Sequence, residues 1–137
     1  INSLQEKYED LGKRFQSSRN GVIDSSLLMA FDYEYQGQDA EVVIATREFT
    51  AVCPWTNLPD FGTLTVTYVP KQYCIELKSF KYYLSSFTGV GIVQEHAANR
   101  ILTDLFQCCQ PGWMEITLDY NTRGGLHTTV KVRREDT

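Results

Sequence analysis

The sequence lacks what a membrane span or a general nucleic-acid binder would need. Its apolar runs are too short to cross a bilayer as a helix. Acidic residues outnumber basic ones, and a net charge of −4 argues against nucleic acid as a direct partner. No basic segment followed by an apolar one opens the chain, so we expect no secretion signal and a cytoplasmic location. What remains is one globular domain, because 137 residues suffice for one core and not for two.

Cysteine and histidine are sparse and do not show the spacing of a zinc site. The four cysteines are Cys53, Cys74, Cys108 and Cys109, with no CxxC pair among them. Adjacent cysteines rarely form a disulfide with each other. We therefore interpret all four as reduced thiols in a reducing cytosol, and we expect no bound metal.

The chain divides into an N-terminal arm, residues 1–26, and a single domain, residues 27–137. The arm is polar and interrupted by glycine and asparagine, and a helical turn is expected near residues 4–11. In the domain, period-two alternation predicts strands, and apolar residues at three- and four-residue steps predict helices. The predicted strands lie in the second half of 27–35 and over 41–49, 62–69, 113–120 and 126–132, and the predicted helices over 75–87 and 92–109.

This order of elements predicts an α+β fold of the ββααββ type. Two strand pairs flank a block of two helices, which favours one four-stranded antiparallel sheet under the helices over a doubly wound sheet. Such a sheet would leave its edge strands exposed. Joining edges between subunits would cover them, so we expect a homo-oligomer.

A turn-rich loop between the predicted strands 41–49 and 62–69 carries a cysteine and an aspartate. Pro54, Asn57 and Pro59 restrict the shape of the loop, so Cys53 and Asp60 can be held close together. A thiol beside a proton donor can add to an electrophilic carbon. Taken alone, an inert buried cysteine and a turn aspartate are the commoner explanation.

The first predicted helix starts with two lysines. Lys78, Lys81 and Tyr82 lie within about one turn and can share a face, away from an apolar stripe that includes Leu77. Two cations and a hydroxyl near a helix N-terminus would suit a phosphate. A solvated basic face paired with Glu76 explains the same residues and is the commoner case.

Two further places can supply polar groups to a ligand. At the start of the second predicted helix, Glu95 is either a carboxylate favoured by the helix dipole or an acceptor for the N–H groups of a heterocycle. Its neighbour His96 would act as a base for Cys53 only in a geometry that the sequence does not fix. On the last hairpin, Arg123 precedes two glycines and suits a phosphate or a neighbouring subunit, although a plain hairpin also explains the glycines.

Taken together, four segments resemble one enzyme family. They are FTAVCPWTNLPDFGTLTVTYVP (49–70), ELKSFKYYLSSF (76–87), QE (94–95) and RGG (123–125). In this order they resemble the short, single-domain form of NADPH-dependent 7-cyano-7-deazaguanine reductase, the nitrile reductase of queuosine biosynthesis. The resemblance is collinear from residue 41 to residue 132. It implies the tunnelling fold, in which sheets of several subunits join into a barrel, here a pentameric ring or a decamer.

The resemblance also implies roles for individual residues. Cys53 matches the nucleophile that adds to the nitrile carbon and forms a thioimide, and Asp60 matches the general acid. An apolar wall beside Asp60 is expected from Trp55 or Phe61. Two hydride transfers, each from one NADPH, take the nitrile through an imine to the amine. Glu95, Glu76 and Gln94 match substrate-binding positions, and Lys78, Ser79, Lys81, Tyr82 and Arg123 fall to the cofactor.

The chain departs from the family pattern at three positions. Gln94 stands where the family usually has histidine, Asn57 where glycine is common, and Thr88 where a basic residue often occurs. Asparagine tolerates left-handed backbone geometry, so the loop shape is expected to persist. Glutamine can hydrogen-bond but cannot carry a proton or a charge.

Two alternatives to the reductase stay open on the sequence. One is the related amidinotransferase of archaeosine formation, which uses the same cysteine on a tRNA-borne nitrile without NADPH. The other is a non-catalytic purine- or pterin-binding oligomer on the same fold. The retained ELKSFKYY segment favours the reductase over the first, and the presence of both Cys53 and Asp60 argues against the second.

Overall fold

The computed structural model describes residues 6–10 and 22–136. Residues 6–10 are helical, as the sequence predicted for this part of the arm. The remaining predictions for the arm up to residue 21 lie outside the described residues. The elements that follow are a 3-10 turn (Ser25–Leu27), the strands β1 (Ala30–Asp32), β2 (Val42–Val52), β3 (Pro59–Val69), β4 (Tyr73–Ile75), β5 (Trp113–Tyr120) and β6 (Thr129–Glu135), and the helices α1 (Leu77–Ser85) and α2 (Gln94–Cys109).

The main sheet is antiparallel and has the strand order β2-β3-β5-β6. It confirms the predicted four-stranded sheet, with both helices between the two strand pairs. The alternation of apolar residues and threonines in β3 gives the sheet one buried and one partly exposed face. Leu64, Val66 and Tyr68 are buried, while the threonines between them are partly exposed. Each fully buried side chain of this size contributes about 1.5–3 kcal/mol.

The helices cover one face of the sheet and close the core. Ile101 and Leu105 of α2 are fully buried, and α2 packs against β5 and β6. One polar group in this layer is well satisfied: the hydroxyl of Tyr83 donates to Asp104 Oδ2 at 2.6 Å, and Arg100 Nε donates to the same oxygen at 2.7 Å. Such pairing offsets the cost of burying a carboxylate.

A second, two-stranded sheet was not predicted. β1 pairs antiparallel with β4, so the strand expected in 27–35 lies apart from the main sheet. Residue 75, predicted as helix, ends β4 instead. Pro70 stops β3, and the chain turns back so that the N–H of Ile75 donates to the hydroxyl of Tyr68 at 2.9 Å. This long-range pairing leaves no local signal in the sequence.

Several predicted boundaries were wrong in ways that matter for the site. β2 runs on to Val52 and β3 begins at Pro59, so the loop between them is only 53–58 and Asp60 is a strand residue. The second helix starts at Gln94, two residues later than predicted. Leu77 does not join the apolar stripe, since it is 57% exposed at the start of α1. The last strand starts at Thr129, so the final hairpin connection is longer than expected.

Candidate active site

Backbone pairing at the end of β2 brings Cys53 beside the start of α2. The N–H of Val52 donates to Val90 O at 2.9 Å, and the N–H of Ile92 donates to Val52 O at 3.0 Å. This short parallel bridge ties the glycine-containing connection after α1 to the residue before the cysteine. Cys53 and Glu95 are therefore neighbours in space although 42 residues separate them in the sequence.

The loop that carries Cys53 is a closed turn. The N–H of Cys53 donates to Leu58 O at 2.9 Å, and the N–H of Asn57 donates to Cys53 O at 2.8 Å. Asn57 has φ 59°, in the left-handed region where asparagine is tolerated. The expectation that asparagine replaces the usual glycine here without altering the loop geometry agrees with this conformation. The prolines that flank the loop, Pro54 and Pro59, limit its other conformations.

Asp60 lies on β3 opposite Ala51 and faces the same cavity as Cys53. It is only 4% exposed, and its charge is met by Arg123, whose Nη1 lies 2.5 Å from Oδ1. The second guanidinium nitrogen, Nη2, donates to Thr56 Oγ1 at 3.1 Å. A single arginine thus joins the strand that carries the carboxyl to the loop that carries the thiol.

The hairpin between β5 and β6 presents that arginine. Arg123 and Leu126 exchange two backbone hydrogen bonds of 2.9 Å around Gly124 and Gly125. These glycines have φ 57° and 78°, which a tight two-residue turn of this kind requires. The glycines are therefore explained by the hairpin turn, as one of the two interpretations of the sequence had it. Arg123 lines the cavity.

These elements line a cavity of about 220 Å³ that is open to the surface. Among its lining residues, the sequence had singled out Cys53, Trp55, Asp60, Gln94, Glu95 and Arg123. They come from four separate segments of the chain, which the fold brings to one place. The other lining residues are Val93, Asn121, Leu126 and Thr128, and no sequence motif had indicated a role for them in the site.

Cys53 differs from the other three cysteines in its surroundings. A hydrogen bond from the side chain of Thr56, followed by one from its backbone N–H, lowers the pKa of the Cys53 thiol, although burial and the negative charge of Asp60 oppose this. Burial raises the pKa of Cys108 to about 11. Burial also raises the pKa of Cys74 and brings that of Cys109 to about 12. Since the thiolate is the nucleophile, Cys53 is the one suited to chemistry at neutral pH.

Tyr120 lies near the two acidic residues of the cavity, Asp60 and Glu95. Its hydroxyl donates to the backbone oxygen of Gln94 at 3.2 Å, which fastens the end of β5 to the start of α2. Burial raises the pKa of Tyr120, and the negative charges of Asp60 and Glu95 add to this. Tyr120 is the last residue of a strand with regular alternation, so the sequence showed it only as a core residue.

The residues predicted to hold the cofactor on α1 do not line this cavity. Glu76 caps the helix, since its side chain accepts from the backbone N–H groups of Lys78 and Ser79 at 3.0 and 2.7 Å. It also accepts from the hydroxyl of Tyr8 at 2.9 Å. The Lys78 ammonium lies 4.7 Å from the centre of the Tyr8 ring. Lys81 is exposed and Tyr82 is half-buried.

Ser79 has a structural environment that its predicted cofactor role did not anticipate. It is fully buried, its Oγ accepts from the N–H of Met29 at 2.9 Å, and the same hydroxyl donates to Glu76 O at 2.7 Å. In this chain the side chain joins α1 to the segment before β1. It does not present an oxygen at the surface.

Three aromatic or basic residues near the site are placed differently from what the sequence suggested. Trp55 lines the cavity together with Asp60 but is 83% exposed, and Phe61 does not line it and is 49% exposed, so neither buries Asp60 within this chain. Both are large apolar side chains left open to solvent. His96 is exposed and does not line the cavity, so the geometry required for a Cys53–His96 pair is not present.

The part of the chain that the structure describes holds no helix long and apolar enough to cross a bilayer. Within the same residues, no three side chains of histidine, cysteine, aspartate or glutamate cluster in a way that could hold a metal ion.

Comparison with known proteins identifies close relatives of this chain. The curated NADPH-dependent 7-cyano-7-deazaguanine reductase of Caldicellulosiruptor bescii is 46% identical over 132 residues, covering 96% of this chain and 99% of the relative. The protein of the same name from Thermoanaerobacter pseudethanolicus is 44% identical and covers 96% of this chain and 98% of the relative. That from Chlorobaculum tepidum is 48% identical over 80% of this chain and 94% of the relative.

A solved structure supports the fold independently. The archaeosine synthase QueF-Like, in its apo form, superposes with a TM-score of 0.67 and covers 73% of this chain and 98% of its own. At 22% identity this likeness concerns the fold alone. The model of the QueF-like protein family matches residues 59–137, which include Asp60, both helices and the last hairpin. On this match, and on relatives 44–48% identical over most of their length, the chain belongs to the QueF-like protein family.

Proposed function

We propose that this protein reduces the nitrile of 7-cyano-7-deazaguanine to the primary amine, 7-aminomethyl-7-deazaguanine, with NADPH as the reductant. The observation that carries the proposal is the shared cavity of Cys53, Asp60 and Glu95, in a chain whose curated relatives are named for this reaction. The product serves queuosine biosynthesis, a tRNA modification. The cytoplasm, where reduced thiols persist, is the compartment that suits such a reaction.

Cys53 is the nucleophile of the proposed reaction. Its thiolate adds to the nitrile carbon, so that a carbon–sulfur bond forms and the triple bond becomes a C=N double bond. A proton reaches the nitrogen at the same time, which leaves a neutral thioimide. Sulfur suits this task because it is a soft nucleophile and can leave again once the carbon has been reduced. The depressed pKa of Cys53 keeps more of it in the attacking form.

Asp60 takes the proton that the Cys53 thiol gives up and delivers it to the nitrogen. Its carboxyl lies on strand β3 and lines the cavity together with the thiol. The thiol can therefore reach the nitrile carbon while the carboxyl reaches the nitrile nitrogen, both from fixed positions. The ion pair with Arg123 must loosen when Asp60 carries its proton. Arg123 is held on a hairpin rather than on a strand, and its side chain is about one-third exposed, which permits such movement.

The cofactor supplies two hydrides when bound, one for each reduction step, and two protons complete the conversion of nitrile to amine. Lys78 and Lys81 are exposed cations that suit its phosphates. Arg123 already contacts Asp60 and Thr56, so we assign it to the reacting end of the cavity. Ser79, being buried, would act by holding the start of α1 in place.

Glu95 is proposed to bind the deazaguanine ring. It is exposed at the first turn of α2 and lines the cavity, so its carboxylate can accept hydrogen bonds from ring N–H groups. Gln94 lies beside it and offers a neutral amide. Glu76 was a further candidate for this role, but its carboxylate caps α1 and lies outside the cavity.

Replacing Glu95 with glutamine should raise the KM for the nitrile about 10- to 100-fold, because a hydrogen bond to a charged group is worth roughly 1.5–3 kcal/mol. The turnover number should change much less, since Glu95 does not touch the reacting carbon. Steady-state kinetics at saturating NADPH would measure both. Glu34→Gln, an exposed glutamate outside the cavity, is the control. An unchanged KM in Glu95→Gln would remove this residue from substrate recognition.

The assay for the function as a whole uses purified protein, the deazaguanine nitrile and NADPH. Absorbance of the reduced cofactor should fall by two equivalents for each nitrile converted, and the amine should appear by mass spectrometry. Addition of ammonia to the nitrile without NADPH consumption would favour the amidinotransferase alternative instead. Tight binding of the nitrile with neither adduct nor turnover would favour the non-catalytic oligomer.

We further propose that the active site is completed by a second copy of this chain. The cavity of about 220 Å³ is smaller than the roughly 300 Å³ or more that a small-molecule site usually needs, and two molecules must meet there. Lys78 and Lys81 lie outside it in the same chain. Within the described residues, β2 and β6 form the edges of the sheet, and Val43 on β2 is exposed. Edge pairing between copies would build the expected barrel, a pentameric ring or a decamer.

Mixing two inactive variants tests this arrangement. Cys53→Ala protomers keep the lysines of α1, and Lys78→Ala/Lys81→Ala protomers keep the thiol. If one copy's lysines serve another copy's cavity, co-refolded mixtures should recover part of the activity that each variant lacks alone. Analytical ultracentrifugation should show an oligomer for both variants. A monomer, or mixtures as inactive as their components, would exclude a shared site.

A further inference from the structure

Thr56 lies where the nucleophile loop meets Arg123. Its Oγ1 accepts a hydrogen bond from Arg123 Nη2 at 3.1 Å and a longer one from the N–H of Leu58 at 3.3 Å. A threonine hydroxyl has two acceptor lone pairs and one proton. Because both acceptor sites are engaged, the hydroxyl can make one further hydrogen bond, in which it donates its proton.

The loop directs that proton to the sulfur. The two backbone bonds between Cys53 and residues 57 and 58 close the turn, so that Thr56 comes back beside Cys53. The pKa of the Cys53 thiol is lowered most by the Thr56 side chain, followed by the backbone N–H of Thr56 and, to a smaller extent, that of Trp55.

Hydrogen bonds to the sulfur matter here because, among the described residues, no histidine lines the cavity to act as a base for the thiol. His96 is exposed and lies outside the cavity, and the position before Glu95 is Gln94, which cannot accept a proton at neutral pH. A thiolate can instead be stabilised by donors already in place.

We propose that Thr56 is a positioning residue for the nitrile reduction, whose hydroxyl donates to the Cys53 sulfur while Arg123 and Asp60 hold that hydroxyl from the other side. The guanidinium contacts Asp60 Oδ1 through Nη1 at 2.5 Å and Thr56 Oγ1 through Nη2 at 3.1 Å. Acid, cation, hydroxyl and sulfur thus form one chain of polar contacts. A hydroxyl that accepts from a cation is also a better donor, because hydrogen bonds in series polarise one another.

The proposal rests on the proposed function only for the identity of what the sulfur attacks. The state of the sulfur can be measured without nitrile or NADPH, by the rate of alkylation with iodoacetamide as a function of pH. Peptide mapping by mass spectrometry separates modification at Cys53 from that at Cys74, which serves as an internal reference. The variants are Thr56→Val, Thr56→Ser, Arg123→Gln and, at the end of β3 remote from the loop, Thr67→Val.

Thr56→Val should alkylate at Cys53 about three- to tenfold more slowly at pH 7, with the midpoint of the profile moved to higher pH. Thr56→Ser should behave as the unmodified protein, because it restores the hydroxyl, and Thr67→Val should not differ. Well above the midpoint, Thr56→Val should react as fast or faster, since a thiolate of higher pKa is the better nucleophile. Arg123→Gln, whose change lies outside the loop, should shift the midpoint in the same direction by less.

Superimposable profiles for Thr56→Val and the unmodified protein would overturn the proposal, and so would a rate that falls equally at every pH. Should Thr56→Val not fold, an unshifted midpoint in Arg123→Gln overturns it instead. A parallel assay with nitrile and NADPH keeps the two hypotheses apart. If the unmodified protein consumes no NADPH, the proposed function fails while the alkylation profiles still decide the role of Thr56.

Discussion

Replacing Cys53 with alanine is expected to abolish both the covalent adduct with the nitrile and the consumption of NADPH. Without the sulfur no carbon–sulfur bond can form, and a free nitrile is a poor hydride acceptor. Turnover should fall by at least about 1,000-fold, as is usual when a catalytic nucleophile is removed. The adduct is measured by mass spectrometry of the intact protein, and turnover by the absorbance of NADPH.

Cys74→Ala is the matched control for this change. Cys74 is also a partly accessible thiol, but burial raises its pKa and it lies outside the cavity. We expect the adduct and the turnover to persist in this variant. An adduct that survives Cys53→Ala, or that disappears in Cys74→Ala, would show that the nucleophile has been misassigned.

Replacing Asp60 with asparagine is expected to lower turnover about 100- to 10,000-fold, the usual contribution of a positioned general acid. Asparagine keeps the shape of the side chain in its buried position but cannot deliver a carboxyl proton. The affinity for the nitrile should change little, because Glu95 and not Asp60 is proposed to bind the ring. Single-turnover kinetics with NADPH would measure the chemical step directly.

In Asp60→Asn the reactivity of Cys53 toward an alkylating agent should not fall as turnover does. In the unmodified protein the negative charge of Asp60 opposes the lowering of the Cys53 pKa. Asp60→Asn removes that charge, so alkylation of Cys53 near neutral pH should hold or rise while turnover falls. Asp32→Asn, an exposed aspartate in β1, should leave both unchanged. Turnover near the normal rate in Asp60→Asn would assign the proton to another group.

Much of the fold could be predicted from the sequence because the signals are local. The alternation in β3 and β5 predicted two strands, and β5 was placed at its correct ends, residues 113–120. The spacing of Ile101 and Leu105 in α2 predicted an apolar face that proved to be buried. Such a periodic pattern predicts a strand or a helix even when the elements that pack against it are not known.

The sequence could not predict features that depend on distant pairing. β4 exists because β1 pairs with it, and β2 extends to Val52 because the connection after α1 adds hydrogen bonds at its end. The role of Glu76 as a helix cap followed from where α1 begins, which the apolar pattern placed too early. Nothing in the sequence assigned a role to Thr56, although it lies in the segment 49–70 that carries the resemblance, or to Tyr120, since a threonine in a turn and a tyrosine in a strand are ordinary.

By itself the sequence determined the kinds of chemical group available: one thiol in a constrained loop, a carboxyl seven residues later, a glutamate at a helix start and an arginine beside two glycines. The tertiary structure alone decided which of them meet. It paired Arg123 with Asp60 and Thr56, left His96 outside, and placed the lysines of α1 away from the thiol. The physical reason is that the chemical groups of a side chain are known from its own position in the sequence. The distances between segments are instead set by the register of the sheet and by the core that fixes that register.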